Sequence, residues 1–200
     1  MDNLIRIGAT DLFFYYFAAG EKTTFNELMT FKLDSVVNGN ALKYAVTKAL
    51  GEFDGFSVRL KRHENNLYYE HNDAPAPVYK EDGRTAYFGS KDMNGYLFRV
   101  TYDENKVMFH VFHGLSDGRG VNTFAFRILD IYYREVDEVY ARTIADDYIE
   151  KSGVEYLPDP YRKFVKPDAE PIWVYKNGEV YNIETERYEN GDADYCRSIM

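Results

Sequence analysis

The chain has 200 residues, 45% of them hydrophobic and 17% aromatic, enough for one domain with a substantial buried core and too apolar for disorder. Its formal net charge of -9 and pI near 5.0, with no Lys/Arg cluster, would repel a phosphate backbone and argue against nucleic acid as a partner. Cys196 is the single cysteine, so no internal disulfide is expected; the longest apolar run, Leu12 to Ala19, is far short of the roughly twenty residues of a membrane span, and Met1-Asp2-Asn3 begins no signal peptide, so the expected location is cytoplasmic.

In chain order, Ile5 to Gly8 and the aromatic run Leu12 to Phe17 come first, and burial alone is a sufficient reason for the run. Phe25 to Leu33 reads as a long strand, with Phe25, Met29, Phe31 and Leu33 on one face. Asp34 to Asn40 supplies turn and cap residues, and Ala41, Leu42, Ala45, Val46, Ala49 and Leu50 recur at helical spacing. Phe56 to Lys61 and Leu67 to Glu70 alternate as paired strands across His63 to Asn66. Pro75, Pro77 and the charged stretch Lys80 to Arg84 break periodicity, so residues 72 to 94 read as a long surface connection with at most one short strand.

Tyr96 to Tyr102 and Lys106 to Phe112 form the next antiparallel pair, across Asp103 to Asn105. From Val107 to Phe112 only His110 is polar, which suits a strand buried on both faces. At His113 the pattern changes: three glycines within seven residues, with Ser116 and Asp117 among them, are turn chemistry, and Asp117 is a candidate N-cap for the next helix. In that helix Val121, Phe124, Ile128, Leu129 and Tyr132 share a stripe, with Arg127, Asp130 and Arg134 largely off it. Beyond it the helical signal fades. Four prolines (158, 160, 167 and 171) among acidic residues suggest an extended segment, and Ile172 to Tyr175, Asn177-Gly178 and Val180 to Ile183 a hairpin. The expected fold is α+β, a mixed, largely antiparallel sheet with helices packed on one face, with a core over residues 1–145 and an extended Pro-rich segment and hairpin over 146–200.

The spacing His-x-x-x-Asp-Gly, read as His113, Asp117 and Gly118, resembles the signature of the coenzyme A dependent acyltransferase superfamily, which includes chloramphenicol acetyltransferase, the alcohol acetyltransferases and peptide-synthetase condensation domains. Asn38 to Leu60 looks like that family's first core helix and following strand, and Gly118 to Tyr133 like the helix after its motif; the resemblance covers residues 12 to 135. The fuller signature has two adjacent histidines, and here the first is replaced by Phe112. By resemblance His113 is the catalytic base, Asp117 is mainly structural, Gly118 keeps the turn open, and the aromatic segment lies across the sheet near the channel. The implied donor is an acyl-CoA or an acyl-carrier thioester, with no resident cofactor, and the acceptor an alcohol or amine.

Family members have two such halves with the channel between them. This chain is about the length of one, and the second half's signature, Asp-Phe-Gly-Trp-Gly, is absent. The expectation is a chloramphenicol acetyltransferase-like N-terminal half, completed by a second half-domain or by a homodimer. A non-catalytic binding domain on the same scaffold is the alternative, favoured both by Phe112 in place of the first histidine and by the missing second half.

Other residues carry less. Asp117 could orient His113 directly or hold the loop by pairing with Arg99 or Arg119, and Ser116 receives no role. His110, His113 and Asp117 do not suggest a metal site, because strand residues three apart point to opposite faces. His63 and His71 sit at hairpin edges, and Asp146-Asp147 lies in irregular charged sequence.

Overall fold

Two strands, β6 (Phe98–Asp103) and β7 (Lys106–Phe112), form the hairpin at the centre of the larger sheet, closing at Glu104 and Asn105 with Asp103 paired to Lys106. Glu104 takes a left-handed φ of 41° to make that turn. Asn105 ties the turn to Leu33 by accepting from its amide at 2.7 Å and donating from its side chain to its carbonyl at 3.1 Å. This computed structural model describes residues 4–18, 26–64, 66–83 and 87–143. They belong to a compact unit bounded by Met1–Val165. The Pro-rich segment and hairpin expected over 146–200, with Asp146-Asp147 and Cys196, lie outside the described residues, as does Phe25.

Besides that hairpin the described strands and α-helices are, in order, β1 (Leu4–Arg6), α1 (Ala9–Ala18), β2 (Asn26–Lys32), α2 (Gly39–Leu50), β3 (Val58–His63), β4 (Asn66–His71), β5 (Val78–Lys80), α3 (Gly118–Val136) and α4 (Glu138–Thr143). The architecture is α+β and mixed, as expected, with the strands divided between two sheets. One has the order β2-β7-β6-β5, antiparallel except for the parallel β5–β6 pair, and the other is the antiparallel β1-β4-β3. A single bridge, Arg59 to Tyr96, joins strand β3 to the entry of β6.

Helix α2 forms where the apolar stripe dictates. Asn38 caps it by accepting from the amides of Asn40 and Ala41, and the six stripe residues Ala41, Leu42, Ala45, Val46, Ala49 and Leu50 are all buried. Such a cap contributes on the order of 1 kcal/mol, and each large apolar side chain removed from water roughly 1.5–3 kcal/mol. Helix α3 buries Val121, Phe124, Ile128, Leu129 and Tyr132 into the same core, stacking Phe124 on Phe56 at 4.0 Å between centroids. The Tyr132 hydroxyl accepts from the Asn38 amide at 3.0 Å, which fixes the end of α3 against the start of α2.

The expectation that Asp130 lies off the buried stripe of α3 is corrected. Its side chain is buried because Arg127 donates to it at 2.6 Å, Arg134 at 3.0 Å and the Tyr140 hydroxyl of α4 at 3.1 Å. Charge pairing, which periodicity does not register, compensates the burial. The described chain also stays helical past the point where the signal fades, in the short α4.

Helices do not all share one core. Val107, Phe109 and Val111 of β7 face α2 and α3, whereas Phe112 enters a second cluster with Ile7, Val58, Leu67, Tyr69 and Leu97, flanked by Leu12, Phe14 and Tyr15 of α1. Met108 and His110 are only half-buried, so β7 is less enclosed on one face than the run of apolar residues suggested.

Candidate active site

The last residue of β7 is the buried Phe112, and the chain turns immediately after it. The Gly114 carbonyl accepts from the Tyr69 hydroxyl at 3.0 Å, and the Leu115 amide donates back to the Phe112 carbonyl at 2.8 Å. A Cβ on Gly114 would come within 2.5 Å of the Phe112 ring and 3.3 Å of the Asp11 carbonyl, so glycine is required for α1 to approach this turn. The turn delivers His113 at the rim of the fold, its side chain 37% exposed.

Three groups surround the imidazole. Glu27 of β2 places a carboxylate oxygen 2.9 Å from Nδ1, the Ser116 carbonyl lies 3.4 Å from the same nitrogen, and the Phe14 ring from α1 covers the imidazole with centroids 4.4 Å apart. Glu27 reaches it because the β2–β7 register sets Glu27 opposite Val111, two residues before His113. Its second oxygen, Oε2, is buried with no hydrogen-bond partner among the described residues. Burial pushes the Glu27 carboxyl up from its ordinary value, the His113 charge opposes this, and Asp117 adds to it.

Asp117 is the N-cap of α3, as its position suggested, accepting from the Gly120 amide at 2.8 Å. Gly118 begins α3, and a Cβ there would meet nothing within 4 Å. A side chain at position 118 would therefore meet no other atom among the described residues. Ser116 contributes its carbonyl, and its hydroxyl turns toward the Asp117 carbonyl at 3.4 Å.

His110 has different company from His113. Its Nε2 lies 3.2 Å from the hydroxyl of Thr101 on β6, the strand that also carries Arg99 opposite it, and 3.9 Å from Glu81, just after β5. Burial first, and then the positive charge of Arg99, lower its pKa to about 4, with Glu81 opposing. No group of three or more His, Cys, Asp or Glu that could hold a metal ion occurs among the described residues. His71 is half-exposed and bonded to Asp73 at 2.9 Å, and His63 is exposed. A hollow of about 420 Å³ lies elsewhere, between Ser35, Asn38, Tyr132 and Val139.

Sequence reasoning missed Glu27 and gave Phe14 no specific part. The signal for Glu27 was present: it falls in the same alternation as Phe25, Met29 and Phe31, so a charged residue stood on the inward face of a strand. Phe14 was one aromatic among several, and nothing local distinguishes it.

No family model matches the sequence, and no curated protein does. Solved structures share the fold. The starter condensation domain of rhizomide synthetase RzmA is similar over 68% of this chain and 39% of its own, with a TM-score of 0.54 at 11% identity. A variant of that domain in complex with C8-CoA is similar over 69% and 37%, with a TM-score of 0.54 at 12% identity. Polyketide synthase associated protein 5 from Mycobacterium tuberculosis is similar over 67% and 34%, with a TM-score of 0.52 at 15% identity. The chain thus has the condensation-domain fold and spans between about a third and two fifths of the length of these structures. No described helix is long and apolar enough to cross a membrane.

Proposed function

We propose that this chain is the histidine-bearing half of an acyltransferase-type domain, which moves an acyl group from a CoA or carrier-protein thioester to an alcohol or amine. The observation that supports this reading most is the position of His113, at the exit of a buried strand and partly exposed, at the turn that leads into α3. In the proposed step the acceptor hydroxyl or amine gives its proton to the His113 imidazole as its oxygen or nitrogen bonds the thioester carbonyl carbon. The C–S bond then breaks, and the imidazolium returns the proton to the departing thiolate. Ester or amide and free thiol result. Proton transfer by such a positioned base contributes typically ~10²–10⁴-fold.

Asp117 and Gly118 act in support, Asp117 by capping α3 and Gly118 by leaving the space before the helix clear. The other wall of the channel comes from a second half-domain or a second copy of this chain, in the cytoplasm. Because C8-CoA binds a domain of the same fold, it is the natural first donor to test.

A second reading, a non-catalytic binding domain on the same scaffold, is favoured by Phe112. Where the related signature has a histidine, this chain has a ring that is 2% exposed and packed into the second core. The deciding experiment follows free thiol release from C8-CoA with alcohol and amine acceptors, for the natural full-length protein and its His113→Ala variant. Release abolished by the substitution supports the enzyme. Tight binding of C8-CoA with no release by either protein supports the binding domain.

A further inference from the structure

The Nδ1 atom of His113 faces two acceptors. One is a carboxylate oxygen of Glu27 at 2.9 Å and the other the Ser116 carbonyl at 3.4 Å, and a carbonyl can only accept. A neutral imidazole between them is best satisfied with its proton on Nδ1, which leaves the lone pair on Nε2. We propose that Glu27 is a positioning residue for His113: it holds the ring as the Nδ1–H tautomer, so that Nε2 is the atom that accepts the proton. This rests on His113 being the base.

The groups that face the ring come from each neighbouring element. Glu27 comes from β2, Phe14 from α1, and the Ser116 carbonyl and Asp117 from the turn and the start of α3. Asp117 spends its carboxylate on the Gly120 amide, so Glu27 is the carboxylate that touches the imidazole. Glu27 is held at a cost, because its Oε2 is buried without a partner among the described residues and its carboxyl is pushed up by burial. A residue kept only for stability would not be an unsatisfied carboxylate on the inward face of a strand, where a neutral group of the same shape is better tolerated.

That contrast supplies the test. The near-isosteric Glu27→Gln variant of the full-length chain is expected to melt no lower than the parent, because the penalised charge is gone. Its side-chain amide can donate to Nδ1, which moves the ring proton to Nε2. Nitrogen-15 spectra of the imidazoles at pH 8, with His113 assigned by its absence in His113→Ala, are expected to show a protonated Nδ1 and an unprotonated Nε2 in the parent. In Glu27→Gln this pattern is expected to mix or invert, and thiol release from C8-CoA to fall about 10²-fold or more in kcat with KM little changed. A parent spectrum with the proton on Nε2, or a Glu27→Gln spectrum identical to the parent's, overturns the proposal. Transfer that survives in His113→Ala overturns the base assignment and leaves the nitrogen spectrum to decide the tautomer. Should Glu27→Gln fail to fold, Glu27→Asp, which withdraws the carboxylate by one methylene, is read by the same spectrum, with loss of the parent pattern expected.

Discussion

The ring of Phe14 lies against the imidazole of His113, centroids 4.4 Å apart and planes inclined by 36°, so a residue of α1 covers the histidine that β7 delivers. Phe14 also borders the second core cluster. Replacing it by alanine removes both contacts. Phe14→Ala is expected to lower stability by about 2 kcal/mol, less than a fully buried Phe, and to lower thiol release about tenfold by freeing the imidazole. Urea unfolding and steady-state rates check this, with Phe14→Tyr expected to retain both; parent-like rates in Phe14→Ala would show that the ring cover is irrelevant to chemistry.

Asp117→Ala removes the side-chain acceptor at the start of α3. A loss of ~1 kcal/mol is expected from the cap alone, and activity falls with it because the cap shapes the turn that carries His113. Asp117→Ser, which can cap, should recover most of the stability. Unchanged unfolding in urea together with lost activity would point to a direct chemical part for the carboxylate instead.

Glycine is needed at one of two neighbouring positions and dispensable at the other. Gly114→Ala would drive a methyl group into the Phe112 ring and toward the Asp11 carbonyl, and should destabilise by about 1–3 kcal/mol. Gly118→Ala meets no atom within 4 Å and should leave the melting temperature essentially unchanged. If a thioester passes in front of α3, Gly118→Ala raises KM for C8-CoA while the fold stays intact.

His110 makes stability depend on pH. Its folded pKa is lowered from 6.5 to about 4, so between these values the unfolded chain takes up a proton that the folded chain refuses. The stabilising contribution is present above pH 6.5 and is lost as pH falls toward 4, by at most about 3 kcal/mol. Urea titrations at pH 7 and pH 5 measure the difference. His110→Gln, which keeps a polar partner for Thr101, should flatten it; a slope unchanged in that variant would assign the pH dependence to other groups.

Asp130→Ala strips a shared carboxylate from Arg127, Arg134 and Tyr140 on a helix that packs the main core, while Arg127 keeps its pair with Glu52. A loss of roughly 3 kcal/mol or more is expected, and Asp130→Asn should lose less. Thermal melts of the two variants check the order.

Much of this protein was legible along the chain itself. The stripe from Ala41 to Leu50, the hairpin that ends at Phe112, and Asp117 as a helix cap each rest on spacings of a few residues, and local periodicity and capping chemistry act at that range. The description of Asp130 as off the stripe failed because its burial depends on three partners, one of them on a different helix. What only the tertiary structure decided is the environment of His113. Glu27 on β2, Phe14 on α1 and the imidazole after β7 are far apart in sequence, and they meet because strand register and helix packing are set by contacts between distant segments. The type of each residue was there to be read, but its neighbours existed only once the chain had folded.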